Sequence, residues 1–155
     1  MIKLSGSYRL EIEEHILARF RGFRQSPINP LESGGILMGR KIGKLFIIDF
    51  ASTPGEGDYR EYNRFVRNKE QAQNIIYRER VRSDNRRIYL GEWHTHNQEK
   101  PSPSGLDLEE WELTFRSSKL SIRFMLCIIV GSKDELLNIH LSIQSAKGNI
   151  EVFTN

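Results

Sequence analysis

A continuous apolar run near the C-terminal end of the chain constrains the fold more than any other segment. Residues Phe124–Val130 read FMLCIIV and include β-branched and aromatic side chains, which favour strands. The run shows no alternation of apolar and polar positions, which is typical of a strand covered on both faces. We therefore expect a central sheet with further layers on both sides.

The rest of the chain supplies candidates for those layers. Apolar residues recur at helical spacing within residues 11–25, namely Ile12, Ile16, Phe20 and Phe23. Helices are also predicted at 69–83 and between Pro101 and Ser117, and strands at Gly35–Gly39, Lys44–Ala51, 87–96, Leu136–Ile143 and Asn149–Phe153. The prediction is a single domain over residues 1–155, an α/β or α+β sandwich with a central mixed sheet, about three helices and six or seven strands.

A long polar stretch separates the second of these strands from the second helix. Thr53–Asn68 contains Pro54, Gly55 and Gly57 and is longer than most connections between elements. We expect it to be a functional loop or a segment that a ligand partly orders.

Composition excludes several classes of protein. The chain has no apolar stretch of about 18 residues, so no membrane span is predicted, and acidic residues near its start argue against a secretion signal, so we expect a cytoplasmic protein. The single cysteine, Cys127, excludes an internal disulfide and a cysteine-rich zinc site. Acidic residues are interspersed among the arginines between Arg60 and Arg87, and the net charge is only +3. This pattern favours a solvated helix face, with a basic patch for an acidic partner or nucleic acid as the less favoured alternative.

The segment from His94 to Asp107 carries the clearest chemical signal. In a strand, residues two apart point to the same face, so His94 and His96 would present both imidazoles on one side. Asp107, in the first turn of the next predicted helix, could fold back toward them as a third ligand. Two histidines and a carboxylate with one open position form the ligand set of a catalytic zinc ion.

Other interpretations of these residues compete with the metal site. Ser104-x-x-Asp107 is also typical of a helix cap, and taken alone the cap is the favoured interpretation. Glu92 shares the strand face of the two histidines and competes for a catalytic role, although a surface or supporting role is expected. We predict that His15 and His140 are ordinary surface or interface residues.

Three further side chains are assigned to the protein interior. Cys127 lies inside the apolar run, so a buried thiol is expected rather than a protease nucleophile. Trp93 is predicted on the strand face opposite the histidines. Trp111 follows Asp107 by one helical turn and is expected to pack beneath the metal site.

Two segments together resemble a known family. His94-x-His96, followed after seven residues by Ser104-x-x-Asp107, resembles the JAMM motif of JAB/MPN-domain zinc metalloproteases. Upstream, ESGGILMG at Glu32–Gly39 resembles the family's other segment, in which a glutamate precedes a glycine-rich strand. One departure is Asn97, where the family usually has proline, and it affects the loop and the substrate geometry. The resemblance implies an MPN/JAB fold, which is similar to that of the cytidine deaminases.

The resemblance also implies a role for each motif residue. His94, His96 and Asp107 would bind Zn²⁺, and Glu32 would be the general base and acid. Ser104 would stabilise the oxyanion by its hydroxyl or its amide. A zinc deaminase is excluded on ligands, because that chemistry needs a His-x-Glu and a Cys-x-x-Cys segment and the chain has one cysteine.

A narrower resemblance suggests the substrate. Residues Thr53–Val66 and 90–104 are similar to bacterial JAB proteins of integrative elements, including the deconjugating peptidases of CBASS antiphage operons, which travel with E1- and E2-like enzymes. This implies an isopeptidase that acts on a ubiquitin-like or C-terminally conjugated protein, in the CBASS case the CD-NTase cyclic-nucleotide synthase. Thr53–Asn68 is the expected wall of the substrate groove. The alternatives are a catalytically inactive MPN scaffold and a JAB peptidase of another bacterial ubiquitin-like system.

Overall fold

An eight-stranded mixed sheet forms the centre of the computed structural model, which describes residues 1–133 and 138–152. In chain order, the strands are β1 (Ile2–Lys3), β2 (Arg9–Ile12), β3 (Gly34–Ile42), β4 (Leu45–Ala51), β5 (Tyr59–Glu61), β6 (Arg64–Val66), β7 (Ile88–Thr95), β8 (Met125–Val130), β9 (Ile139–Ser145) and β10 (Gly148–Glu151). The sheet has the order β1-β2-β4-β3-β7-β8-β9-β10, and β5 and β6 form a separate hairpin. The α-helices are α1 (Glu14–Phe23), α2 (Lys69–Arg82) and α3 (Gly105–Ser117).

The apolar run occupies the position that its sequence predicts. β8 is entirely buried and lies between β7, to which it is parallel, and β9, to which it is antiparallel. Alternate residues of β8 face opposite layers: Leu126 packs with Phe20 of α1 on one side, and Cys127 packs with Trp111 of α3 on the other. The helix α2 covers β3 on the same side as α3, through Ala72. The predicted α+β class with a central mixed sheet is confirmed.

The structure differs from the prediction in three places. The first helix begins at Glu14 rather than at residue 11, because Ile12 belongs to β2 and pairs with Ile48 of β4. The polar stretch Thr53–Asn68 is not all irregular, since it contains the hairpin of β5 and β6. The short strand β1 was not predicted either, so the described residues form ten strands, more than the six or seven predicted.

The C-terminal hairpin is confirmed as far as it is described. β9 and β10 pair antiparallel around the turn at Ala146 and Lys147. Residues 136, 137 and 153 of the two predicted strands lie outside the described part of the chain. No helix among the described residues is long and apolar enough to cross a membrane.

A glycine allows the histidine-bearing strand β7 to approach its neighbour β8 closely. A Cβ atom on Gly91 of β7 would lie 1.8 Å from the carbonyl oxygen of Leu126 in β8. The paired strand β3 changes register opposite this point, between Leu37 and Met38. Beyond the irregularity, Gly34 pairs with His94, and this pairing brings the start of β3 beside the histidines.

Candidate metal centre

Three side chains converge at the end of β7, as the sequence predicts. His94 is in β7 and His96 follows its last residue, and their Nε2 atoms are 3.1 Å apart. Asp107 comes from the first turn of α3, with Oδ1 3.3 Å from Nε2 of His94 and Oδ2 3.2 Å from Nε2 of His96. The imidazoles are about one-tenth exposed, so their nitrogens face each other and the carboxylate in a partly enclosed site.

A helix cap holds Asp107 in this position. Ser104 is the N-cap of α3: its Oγ accepts a hydrogen bond from the Asp107 amide (3.1 Å), and its own amide donates to Oδ2 of Asp107 (2.8 Å). The cap interpretation is therefore confirmed, and it is compatible with a metal site because the cap orients the carboxylate. The Ser104 amide is occupied by this hydrogen bond, whereas its hydroxyl group accepts one hydrogen bond and can still donate another.

Electrostatics keep Asp107 ionised. Burial by itself would raise the pKa of Asp107, but hydrogen bonds from His94 and His96, positive charge on His94 and the hydrogen bond from the Ser104 amide hold that pKa far below its usual range. A carboxylate must be deprotonated to bind a metal, so Asp107 is suited to be a ligand.

Glu32 lies next to this triad although it is 62 residues earlier in the chain than His94. It precedes β3, it is 5% exposed, and its Oε1 is 3.8 Å from Nε2 of His96. Burial raises the pKa of Glu32 to about 7, even though His94 and His96 act to lower it. A carboxyl group with a pKa near neutrality can accept and return a proton, which is the requirement for a general base and acid.

Two carboxylates therefore lie close enough to the two histidines to share a metal ion with them. Glu32, His94 and His96 each offer a donor atom within 4.8 Å of the other two, and Asp107 lies closer to both imidazoles. The shorter distances and the low pKa favour Asp107 as the ligand. The longer distance and the raised pKa favour a proton-transfer role for Glu32.

Glu92 lies on the histidine face, as expected, but an arginine holds it. Its Oε1 accepts a hydrogen bond from Nε of Arg67 at 2.6 Å and lies 3.3 Å from the hydroxyl of Tyr89. Both members of the ion pair are largely buried, with about one-fifth of each side chain exposed. The sequence did not reveal Arg67 as the partner, because nothing in the local pattern marks a contact between residues 25 apart.

The predictions for the interior side chains are confirmed. Trp93 is 1% exposed and packs against Phe20 on the α1 side of the sheet. Trp111 is 3% exposed, and its ring centroid is 5.9 Å from that of His94. Cys127 is fully buried and burial raises its pKa, so it lacks the thiolate character of a protease nucleophile.

The prediction for His140 is wrong, whereas His15 is exposed as expected. His140 is 6% exposed, because β9 lies between β8 and β10 and His140 pairs with Ile129 under α3. Among the described residues its Nε2 has no hydrogen-bond partner, and Nδ1 is 3.7 Å from Glu151. The polar side chain gave no sequence signal of this burial.

A groove of about 310 Å³ opens beside His94 and Asp107. Its walls come from β7, from α3 and from the end of the polar stretch Thr53–Asn68. Of that stretch, Phe65, Val66 and Arg67 line the groove.

Asn97, the position that departs from the family motif, contacts the hairpin of β5 and β6. Its side chain donates a hydrogen bond to the hydroxyl of Tyr62, in the turn between the two strands.

Comparison with known proteins gives one family and several relatives. Residues 14–141 match the family of prokaryotic homologs of the JAB domain. A protein of Vibrio cholerae serotype O1, named a CD-NTase/cGAS isopeptidase, is 34% identical over 139 residues, which are 84% of this chain and 86% of that protein.

Two other relatives have the same name. The protein from Escherichia coli is 32% identical over 126 residues, 79% of this chain and 76% of its own length. The one from Pseudomonas aeruginosa is 32% identical over 141 residues, 91% and 87% of the two chains. A solution structure of a Desulfitobacterium hafniense protein superposes with a TM-score of 0.65 over 92% of this chain and 88% of that one, and at 16% identity it shows a shared fold.

Proposed function

The chain belongs to the prokaryotic JAB-domain family, as its two motifs predict, and on this premise we propose that it is a zinc-dependent isopeptidase. The observation that carries the proposal is the triad of His94, His96 and Asp107 with the buried carboxyl of Glu32 beside it. Residues 1–155 would form one catalytic domain.

The distances within the triad support zinc as the metal. Ligand bonds of about 2.0–2.2 Å in a tetrahedral site place neighbouring donor atoms about 3.3–3.6 Å apart. The two imidazole nitrogens are 3.1 Å apart, and each lies 3.2–3.3 Å from one oxygen of the Asp107 carboxylate, Oδ1 for His94 and Oδ2 for His96, so each pair of groups is close to that range. Two imidazoles and one carboxylate leave a fourth position open, which is the ligand set of catalytic rather than structural zinc.

Each residue then has a defined task. Bound by His94, His96 and Asp107, zinc would supply Lewis-acid activation of a water molecule and of the scissile carbonyl. Glu32 takes a proton from the attacking water and delivers it to the leaving amine, so that a neutral amine departs. The Ser104 hydroxyl donates a hydrogen bond to the oxygen on which negative charge develops.

The substrate that we propose is a protein joined through its C-terminus to an amine of another protein. Three relatives are named for CD-NTase/cGAS, which favours a conjugated CD-NTase over other ubiquitin-like systems. The extended C-terminal tail would lie in the groove against Phe65–Arg67, bound mainly by backbone hydrogen bonds. In this role the protein would act in the cytoplasm of a bacterium. Its gene would belong to a CBASS antiphage operon that also encodes E1- and E2-like enzymes.

Reconstitution with metal tests the proposal. The CD-NTase conjugate, made with its E1- and E2-like enzymes, is incubated with metal-free protein and with protein that has been given one equivalent of zinc. We expect cleavage at the conjugate bond only with zinc, and a conjugate from another ubiquitin-like system serves as the comparison. An inactive scaffold would bind the conjugate without cleaving it at any metal concentration, and that result would reject the enzymatic proposal.

A further inference from the structure

The main chain of Glu32 is held on one side by the hairpin of β5 and β6. Its amide donates a hydrogen bond to the carbonyl oxygen of Glu61 at 2.8 Å. Its carbonyl oxygen accepts a hydrogen bond from Nε of Arg60 at 2.9 Å. The same guanidinium donates through Nη2 to Oγ of Ser33 at 2.7 Å. Both polar main-chain groups of Glu32 are thus bound by two adjacent residues of one strand.

The next residue is held on the other side by the histidine strand. The Ser33 amide donates to Oγ1 of Thr95 at 2.9 Å, and the Thr95 amide donates to the Ser33 carbonyl at 2.8 Å. Thr95 lies between His94 and His96 in the sequence, so this side is fixed relative to the metal ligands. The distance from the Glu32 carboxyl to the histidines therefore depends on two supports, Thr95 on one side and the hairpin on the other.

The hairpin that carries Arg60 is itself held in place by contacts with the rest of the domain. Phe65 packs over Gly34, where a Cβ atom would come within 2.6 Å of the phenyl ring. The Gln25 side chain, which is 1% exposed, donates to the carbonyl oxygen of Tyr62 at 2.7 Å. Arg60 itself does not line the groove beside His94, since its guanidinium is turned toward Glu32 and Ser33.

From these contacts we infer that Arg60 is a positioning residue for the reaction: it acts through Glu32 and does not touch the substrate. This inference rests on the proposed function, in which Glu32 transfers the proton. A displacement of about 1 Å at a reacting group can lower the rate by about 100-fold. Loss of Arg60 leaves the single hydrogen bond from the Glu32 amide to Glu61 on the hairpin side, so the carboxyl would sample more positions.

Kinetics of Arg60→Ala with zinc-loaded protein and the conjugate test the inference. We expect kcat to fall about tenfold or more, with KM and zinc content unchanged, because neither the groove nor the ligands are altered. Arg60→Lys, which can satisfy only one of the two acceptors well, should have an intermediate kcat. The matched control is Arg19→Ala: Arg19 also donates to a main-chain carbonyl, but to that of Ala51 rather than that of Glu32, so kcat should not change.

A double-mutant cycle separates positioning of Glu32 from a general structural role. If Arg60 acts through Glu32, Arg60→Ala should lower kcat in the wild-type background but have no further effect in a Glu32→Ala background. Equal losses in the two backgrounds, or an unchanged kcat for Arg60→Ala beside active wild-type protein, would overturn the inference. If Arg60→Ala does not fold, Arg60→Lys and Ser33→Ala, which removes the Nη2 acceptor, take its place in the same cycle. Failure of wild-type protein to cleave with zinc would instead reject the proposed function.

Discussion

The amide of Ser104 donates a hydrogen bond to Oδ2 of Asp107, so one carboxylate completes a helix cap and faces two histidines. A cap of this kind needs a side chain with a hydrogen-bond acceptor at the third helical position, and a metal site needs a carboxylate held at a fixed place. The sequence Ser-x-x-Asp satisfies both requirements. For this reason the cap interpretation and the ligand interpretation of these residues are complementary.

Substitution of Ser104 by glycine separates the cap from the chemistry. Glycine at an N-cap costs only a few tenths of a kcal/mol relative to serine, whereas alanine costs about 1 kcal/mol. We therefore expect Ser104→Gly to keep nearly wild-type stability in urea unfolding. If the hydroxyl stabilises the oxyanion, its kcat should fall about 100-fold. A Ser104→Gly protein with full kcat would show that Ser104 is only a cap.

Substitution of Asp107 by asparagine tests the ligand assignment with little change in shape. The amide oxygen of asparagine can still accept the hydrogen bond from Ser104, so α3 should remain capped. The neutral amide oxygen is, however, a much weaker zinc ligand than a carboxylate. We expect zinc content, measured by metal analysis after dialysis, to fall together with activity. Retention of one zinc per chain in Asp107→Asn would assign the third ligand to another residue, with Glu32 the next candidate by distance.

Removal of zinc should stop cleavage without unfolding the chain. The largest cluster of buried apolar side chains, which includes Phe20, Trp93 and Leu126, lies on the α1 side of the sheet, opposite the histidines, and contains none of the proposed ligands. Far-ultraviolet circular dichroism should therefore change little on chelation, while activity is lost and returns when zinc is added back. Global unfolding by the chelator would indicate a structural zinc site instead.

Burial of His140 predicts a loss of stability in acid. Burial lowers the pKa of His140 below the value near 6.5 of an exposed histidine. The surrounding charges partly offset one another, since Glu151 and Asp107 raise the pKa and His94 and His96 lower it.

The sign of the effect follows from proton binding. Below about pH 6.5 the unfolded chain binds a proton at this residue more readily than the folded chain, so the contribution of neutral His140 to stability is lost as the pH falls. Denaturant unfolding at pH 7.5 and pH 5.5 should show a larger loss of stability for the wild type than for His140→Gln. Equal losses in the two proteins would contradict this assignment.

The features that the sequence revealed are those encoded by local pattern. The apolar run identified β8, the alternation placed both histidines on one face, and the Ser-x-x-Asp spacing predicted the start of α3. The hairpin was missed because β5 and β6 have three residues each, too few for an alternation to be recognised. The strand β2 was missed because its pairing with β4 is long-range, and Ile12 fits the helical pattern equally well.

The candidate site shows the same limit. The place of Glu32 beside His96 could be anticipated only from the resemblance to a family, since no local signal joins residues so far apart. The ion pair of Arg67 with Glu92 and the hydrogen bonds of Arg60 to Glu32 and Ser33 depend on where the hairpin docks, and they could not be derived from spacing.

The central claim is that a zinc centre acts with Glu32 as the proton carrier, and single-turnover cleavage of the conjugate by Glu32→Gln tests it most directly. Glu32 is not among the three proposed ligands, so the variant should keep its fold and one zinc per chain and should still bind the conjugate. Its cleavage rate should fall by about 100-fold or more. The matched control is Glu92→Gln, in which a carboxyl on the same face of the centre is neutralised, and only a modest loss is expected. An active, zinc-loaded Glu32→Gln protein beside an inactive, zinc-loaded Glu92→Gln protein would contradict the account.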